Sequence, residues 1–416
     1  MSYFGLDEAQ VTSLVQAVTS ADVDPDRVEE LFARATWTGI AEPGDRTAGE
    51  LISVLGAPGA LTAVVEQWTS DRLVAALADG GETVTRRELD LAMARWKPRL
   101  VSSSAVNALR QAAGFSVRLL VPGDRDWPDG MADLGPHAPS ALWLRGNRST
   151  LATLDRSIAL VGARAATGYG EHVTAEASAG LVDRGYTIVS GAAYGIDGMA
   201  HRAALASSGQ TVAFLAGGVD RFYPSGHEGL LGTIVANGAV LSELPCGFPP
   251  TRWRFLQRNR LIAAASRATV VIEAGSRSGS LNTAGHAASL GRALGAVPGP
   301  VTSAASVGCH RLIRDFTAVC VTNADEMAEL APLDPEEIAP DGIEPEGPGA
   351  PPGARSATTP ERIRVLDALS SRAPRSAADV ASRAGLSVAE VQSVLGLLEL
   401  EGGAIDRDRG WVKKSG

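Results

Sequence analysis

The chain has 416 residues with 38 basic and 47 acidic side chains, a formal net charge of −9 at pH 7. At 45% hydrophobic and 20% charged residues the composition is that of a globular protein, which excludes a wholly disordered chain, a coiled coil and a collagen-like repeat. The length predicts two or three domains.

In chain order, residues 6 to 112 show helical periodicity, as in Val11, Leu14, Val15, Val18 and again Leu61, Val64, Val65, Trp68. They predict an N-terminal all-helical (SAM-like) domain over residues 1–114. Inside it, the Gly-Ala-Pro-Gly run at 56–59 reads as a tight turn, with an amide contact to phosphate as the alternative. From about 116, short apolar runs at 158–161, 187–189, 211–215, 239–241, 268–272, 293–297 and 318–321 alternate with helical stretches. Such alternation predicts α/β architecture, an extended Rossmann-like, mainly parallel sheet over 115–330. Residues 331–359 are rich in Pro, Gly, Glu and Asp and predict an acidic linker. Beyond it, helices at 362–369, 377–384 and 388–401, a Gly385-Leu386-Ser387 turn and a wing at 404–412 predict a C-terminal winged-helix domain over 360–416. Its recognition helix carries Glu390, Glu399 and Glu401 and no cation, with Arg407, Arg409, Lys413 and Lys414 on the wing as the only basic group there. Protein contact is as good a reading there as DNA contact.

The charge is uneven. Nine acidic and no basic residues fall between Asp325 and Glu346, and without them 38 cations face 38 acids. Residues 251–314 hold nine arginines against Glu273 alone, a local +8. Thirty-five of the 38 cations are arginine, which suits phosphate and base contacts and equally a GC-rich genome. The acidic stretch is either a solubilising linker or a competitor that folds back over the arginine-rich region.

Four glycine-rich loops follow predicted strands: one with Gly162 and Arg164, one with Gly191 and Gly195, one with Gly217, and one with Ser278, Gly279, Ser280 and Thr283. At strand-to-helix turns, backbone amides point at anions, so together the loops outline a phosphate groove. There is no GxxxxGK[ST] loop or complete GxGxxG, which disfavours ATP hydrolysis and tight dinucleotide binding. In Trp253-Arg254-Phe255-Leu256-Gln257-Arg258-Asn259-Arg260 cations and an aromatic interleave as a single strand requires. A helix start capped by Asn259 is the competing reading. The histidines show no metal spacing and no nucleophile partner, and Asp197, Glu243 and Glu273 read as caps or arginine partners, so no catalytic residue, metal or cofactor is expected. Cys246, Cys309 and Cys320 form no CxxC pair and read as reduced thiols. No apolar run is read as a membrane span and the start is unlike a signal peptide, so a cytoplasmic protein without a membrane partner is expected.

VGAR (161–164), SGAAYGID (190–197), TVAFLAGGVDRFYP (211–224), LSELP (241–245), RNRLIAA (258–264), SGSLNTA (278–284) and VPGPV with GCHRLI (297–313) together resemble the bacterial DNA-processing protein A family (DprA, or Smf). The resemblance covers roughly 116–325 by motif; the helical front and the winged helix fit only by pattern. It implies a non-catalytic protein that binds and protects single-stranded DNA, loads the RecA recombinase on it in natural transformation, and works as a homodimer. It also implies that Arg164, Gly191, Gly195, Gly217, Arg258, Arg260, Ser278, Gly279 and Thr283 line the DNA groove, with Asn259 shaping the RNR turn. Gln210, Thr167 and His310 depart from residues common in the family; the first removes a cation, which should lower the salt slope of binding by about one. Two other readings compete. A nucleotide-processing α/β enzyme related to phosphoribohydrolases would need a carboxylate after Thr283, where Ala284-Gly285-His286-Ala287-Ala288 stands. A duplex-binding regulator would need a basic recognition helix.

Overall fold

The computed structural model describes residues 5–19, 23–81, 83–333, 360–371, 373–400, 403–407 and 410–414. The N-terminal region is helical, with α1 (Glu8–Gln16), α2 (Pro25–Ile40), α3 (Arg46–Val65), α4 (Ser70–Asp79), α5 (Arg86–Trp96) and α6 (Ser102–Gly114). Its starts are written locally: Asp45 and Thr69 cap α3 and α4, and Thr85 with Glu88 forms a reciprocal capping box on α5. The turn expected at 56–59 is a kink inside α3, where Gly56 takes φ 69°. By length and composition α3 could cross a membrane, contrary to the sequence expectation. Here it serves as a core helix: Leu51, Ala57, Ala60, Leu61 and Val64 are buried, and the Trp37 indole donates to the Ala57 carbonyl.

A nine-stranded sheet follows, with β1 (Arg118–Leu120), β2 (Leu142–Gly146), β3 (Ser157–Val161), β4 (Thr187–Ser190), β5 (Thr211–Phe214), β6 (Ala239–Ser242), β7 (Ala268–Val271), β8 (Ala293–Ala296) and β9 (Val319–Cys320). Their order is β1-β2-β6-β5-β4-β3-β7-β8-β9, parallel from β6 to β9. All seven strands expected from the apolar runs are present, and strands β3 to β7 are buried at every residue, as a sheet covered on both faces requires. Sequence reading missed β1 and β2, which add an antiparallel edge beside β6. Trp143 on β2 donates its indole N–H to Thr38 on α2, so this edge is where the helical region packs on the sheet.

One face of the sheet is covered by α7 (Gly168–Asp183), α8 (Ile196–Ala206) and α13 (Ala324–Ala328), the other by α10 (Arg252–Ala265), α11 (Ser280–Ser289) and α12 (Val307–Asp315). A further helix, α9 (Glu228–Asn237), joins β5 to β6. The winged helix comprises α14 (Pro360–Ala368), α15 (Ala377–Ala384) and α16 (Val388–Leu400) with the hairpin β10 (Ala404–Arg407) and β11 (Gly410–Lys413). Ser387 and Glu390 cap α16 reciprocally, as the Gly-Leu-Ser turn predicts. Most of the acidic stretch, 334–346, lies outside the described residues, as does Arg409. At its start, Asp325 pairs with Arg184 and Glu326 accepts from Thr322.

Candidate nucleic-acid interface

The order β5-β4-β3-β7 sets side by side the four strands that precede the glycine-rich loops. All four loops therefore leave the same, carboxyl edge of the sheet, and β3 with β7 marks the point where strand order reverses, the place where open α/β sheets hold ligands. Gln210 precedes β5 and so sits at the opposite, amino edge, where it accepts a hydrogen bond from Thr150. The loss of a groove cation expected at that position is thus corrected: it is remote from the cleft. Thr167 caps α7 and donates to Glu273, and the His310 ring donates to the Gly299 carbonyl.

The expectation for the RNR run needs correction. It is no turn: Arg258, Asn259 and Arg260 lie in the middle of α10, whose cap is Thr251. Arg254, Arg258 and Arg260 are only 3%, 5% and 3% exposed. Each guanidinium is turned into the protein, where a buried cation needs acceptors around it; Arg260 is the least satisfied, its Nε and Nη1 finding none among the described residues. Arg258 donates to the carbonyls of Gly191 (2.6 Å) and Phe214 (2.5 Å), tying the ends of β4 and β5 together. Arg260 pairs with Glu243, and Arg254 grips Glu42 through both Nε (3.1 Å) and Nη2 (2.7 Å). Asn259 neither caps nor bends the helix; its amide donates to Gly279 O and Asn282 Oδ1, holding the last glycine loop.

The glycines are explained by the same packing. A side chain at Gly162 or Gly217 would strike Ile196 or Pro250, and one at Gly191 would strike the Arg258 guanidinium. Gly195 combines φ 75° with backbone oxygens of Ala163 and Arg164 at its face, a conformation L-residues avoid. Ser280 and Thr283 are buried at the start of α11, whereas Ser278 is half-buried and Gly279 exposed. Of the predicted groove residues, Arg164 and Phe255 reach the surface with their functional groups: Arg164 is exposed and its guanidinium lies 4.8 Å over the Phe255 ring.

What surrounds that pair went unread in the sequence. Tyr223 stands 5.6 Å from Phe255, ring to ring, and is 48% exposed; Tyr194 is 47% exposed, and Arg221 and Arg277 are exposed on neighbouring loops. A small pocket of about 10 Å³ beside Tyr223 and Phe255 is lined by these two rings with Gly191, Leu215, Gly217, Arg221 and Pro250. The available signal was a tyrosine inside each of the AAYGID and DRFYP motifs, at a loop where a core aromatic has no role.

The titratable groups here are structural. Burial pushes the Asp197 carboxyl up, against the pull of Arg258 and the amides of Ala193, Gly162 and Gly191. Burial brings Arg258 down to about 10. Burial also raises Glu243, against Arg260. Glu273 accepts the amide and hydroxyl of Thr167. Among the described residues no His, Cys, Asp or Glu group has metal-binding geometry.

The winged helix turns its helix-turn-helix corner inward. Arg99 donates to Ser382 O (2.7 Å) and Arg383 O (3.3 Å) while pairing with Glu42. Gly385, at φ 64°, lets the corner close on them, since a Cβ there would meet Glu42 Cγ at 2.4 Å. Glu42, shared between Arg99 and Arg254, is held well below the usual carboxylate range by those cations despite burial. From α10, Arg252 N donates to Asp367 and Trp253 lies under Arg364.

Fold and cleft define a class: an extended Rossmann-like α/β protein whose carboxyl edge presents arginines and aromatic rings, with a winged helix docked on its helical front. The chain belongs to the family described as DNA recombination-mediator protein A, whose profile matches residues 118–332; a DprA winged helix domain profile matches 349–407. A putative DNA processing protein DprA of Mycobacterium tuberculosis is 47% identical over 305 residues, covering 71% of this chain and 76% of that protein. DNA processing protein DprA of Streptococcus pneumoniae is 38% identical over 193 residues, 46% of this chain and 67% of that one. The X-ray structure of DprA from Streptococcus pneumoniae superposes with TM-score 0.56 and 27% identity over 71% of this chain and 95% of that chain.

Proposed function

We propose that the protein binds single-stranded DNA along the carboxyl edge of its sheet, without catalysis, and passes the strand to the RecA recombinase during natural transformation, acting in the cytoplasm as a homodimer. The observation that carries the DNA reading is the cluster of exposed Arg164 and Tyr223 around half-buried Phe255, beside the small pocket lined by Gly191 and Gly217. Flat rings flanked by cations hold unpaired bases and their phosphates, and need no base-specific hydrogen bonds. A duplex keeps its bases stacked away from such rings, so single strands are preferred. The absence of catalysis is supported by Asp197, Glu243 and Glu273, which are buried with structural partners. RecA hand-over and dimerisation rest on the family alone.

A gel shift with a thymine oligonucleotide, its duplex and rising salt tests the reading. Wild type should prefer the single strand, with affinity falling steeply in salt. Phe255→Ala with Arg164→Ala should lose most of that affinity while the fold is kept, since neither side chain is a core anchor. Equal binding by the double variant would dismiss the cleft as the site.

A further inference from the structure

Tyr194 is an exposed aromatic whose ring and hydroxyl are both held in place. Its ring lies edge to face against His227, with centroids 4.8 Å apart at 70°, and its hydroxyl accepts the Gly226 amide at 3.2 Å. Exposed tyrosines ordinarily sample several rotamers; this one is immobilised while still 47% exposed. The residue aiming it is strained: Ala192 has φ 53°, a left-handed conformation costing an alanine about 1 kcal/mol or more. What holds it is His227. The Arg202 guanidinium, a donor only, reaches His227 Nε2 at 2.9 Å, so Nε2 accepts and the ring proton sits on Nδ1. From there it is donated to the Ala192 carbonyl at 3.0 Å. His227 is 3% exposed, so the tautomer is set by protein groups on both sides.

We infer that Tyr194 is a second base-stacking position for the bound single strand, beside the Phe255–Tyr223 pair, and that His227 is the positioning residue that holds it. This rests on the single-strand reading above. The turn that carries Gly226 begins just after Tyr223, so the backbone points at which the two tyrosines are anchored lie at most about 11 Å apart along the chain. One strand can therefore meet both. A preformed ring costs little entropy to bind, which is what separates a stacking platform from a chance surface aromatic.

The test uses the full chain and two oligonucleotides of equal length, a thymine strand and the same strand with base-free sugars, which keep the phosphates. Tyr194→Ala should weaken binding to the thymine strand about fivefold to a hundredfold and leave binding to the base-free strand at the wild-type value. Tyr194→Phe should keep most of the affinity. His227→Ala should reproduce part of the Tyr194→Ala loss, His227→Gln, which can still donate to Ala192, should recover it, and adding His227→Ala to Tyr194→Ala should cost nothing more. Wild-type affinity in Tyr194→Ala, or an equal loss on both strands, overturns the inference while the single-strand reading stands. Wild type that fails to bind the thymine strand overturns both.

Discussion

Two arginines of the same motif set, Arg164 and Arg258, do opposite work because their surroundings differ. Arg164 is exposed over an aromatic face, where its charge is free for a phosphate. Arg258 is surrounded by carbonyls and Asp197. Arg164→Ala should leave the urea midpoint unchanged and lower the salt slope of single-strand binding by about one. Arg258→Ala should destabilise by about 3–5 kcal/mol, because it strips two carbonyls and leaves Asp197 buried without its cation. A wild-type urea midpoint in Arg258→Ala would contradict its placement. Two histidines set the acid limit of the fold. Burial holds His201 at about 3 and His286 at about 4, so both are neutral in the folded chain at neutral pH. The unfolded chain takes up these protons near pH 6.5. Stability they contribute is therefore complete above about pH 6.5 and lost as pH falls toward 4, by up to about 1.4 kcal/mol per pH unit for each. Urea unfolding at pH 8 and pH 5 should show the loss, and His286→Gln should shrink it; an unshrunk loss would place the titration elsewhere.

Among the elements, α10 shows what sequence can and cannot convey. Strands β3 to β7 were legible because each is an apolar run buried on both faces; β2 was not, since Arg145 and Gly146 cut its apolar run to Leu142, Trp143 and Leu144 and its pairing with β6 is nearly a hundred residues away in the chain. The glycine loops were legible as a set at one edge, and four in register is what the strand order delivers. The arginines of α10 read as a surface because buried cations are rare. Their partners, Glu42 and Glu243, lie on other elements, and no local spacing announces them. The result is a helix with two duties along its length. Its first turn holds the winged helix through Arg252 and Trp253, and its next turns build the cleft through Phe255 and Arg258. Asp367→Ala, which removes the acceptor of the Arg252 amide, should loosen α14 from α10 and speed amide exchange at 252–254 while exchange at 258–262, shielded by the sheet, stays slow. Uniform protection along α10 would show that the winged helix lends that turn nothing.

For the whole molecule, the winged helix is held by its helix-turn-helix corner, whose carbonyls accept from Arg99 of the helical front. Gly385 at that corner lies against Glu42, and Glu390 borders the same groove, while Ala389, Gln392, Ser393, Leu397 and Glu399 of α16 stay exposed. The keystone is the single buried carboxylate of Glu42 among three arginines. Glu42→Gln keeps the shape and removes the charge, leaving Arg99, Arg254 and Arg364 to repel one another at low dielectric. The variant should release the winged helix, seen as a larger radius of gyration in solution scattering and an early, separate thermal transition. It should gain no affinity for duplex, since the freed helix still presents Glu390 and Glu399. Because Arg254 sits one turn ahead of Arg258 on the same helix, release should also change single-strand affinity, and bound strand should reciprocally change docking. Scattering indistinguishable from wild type would mean that apolar packing alone holds the domains, and the coupling through α10 would then have no charge to act on.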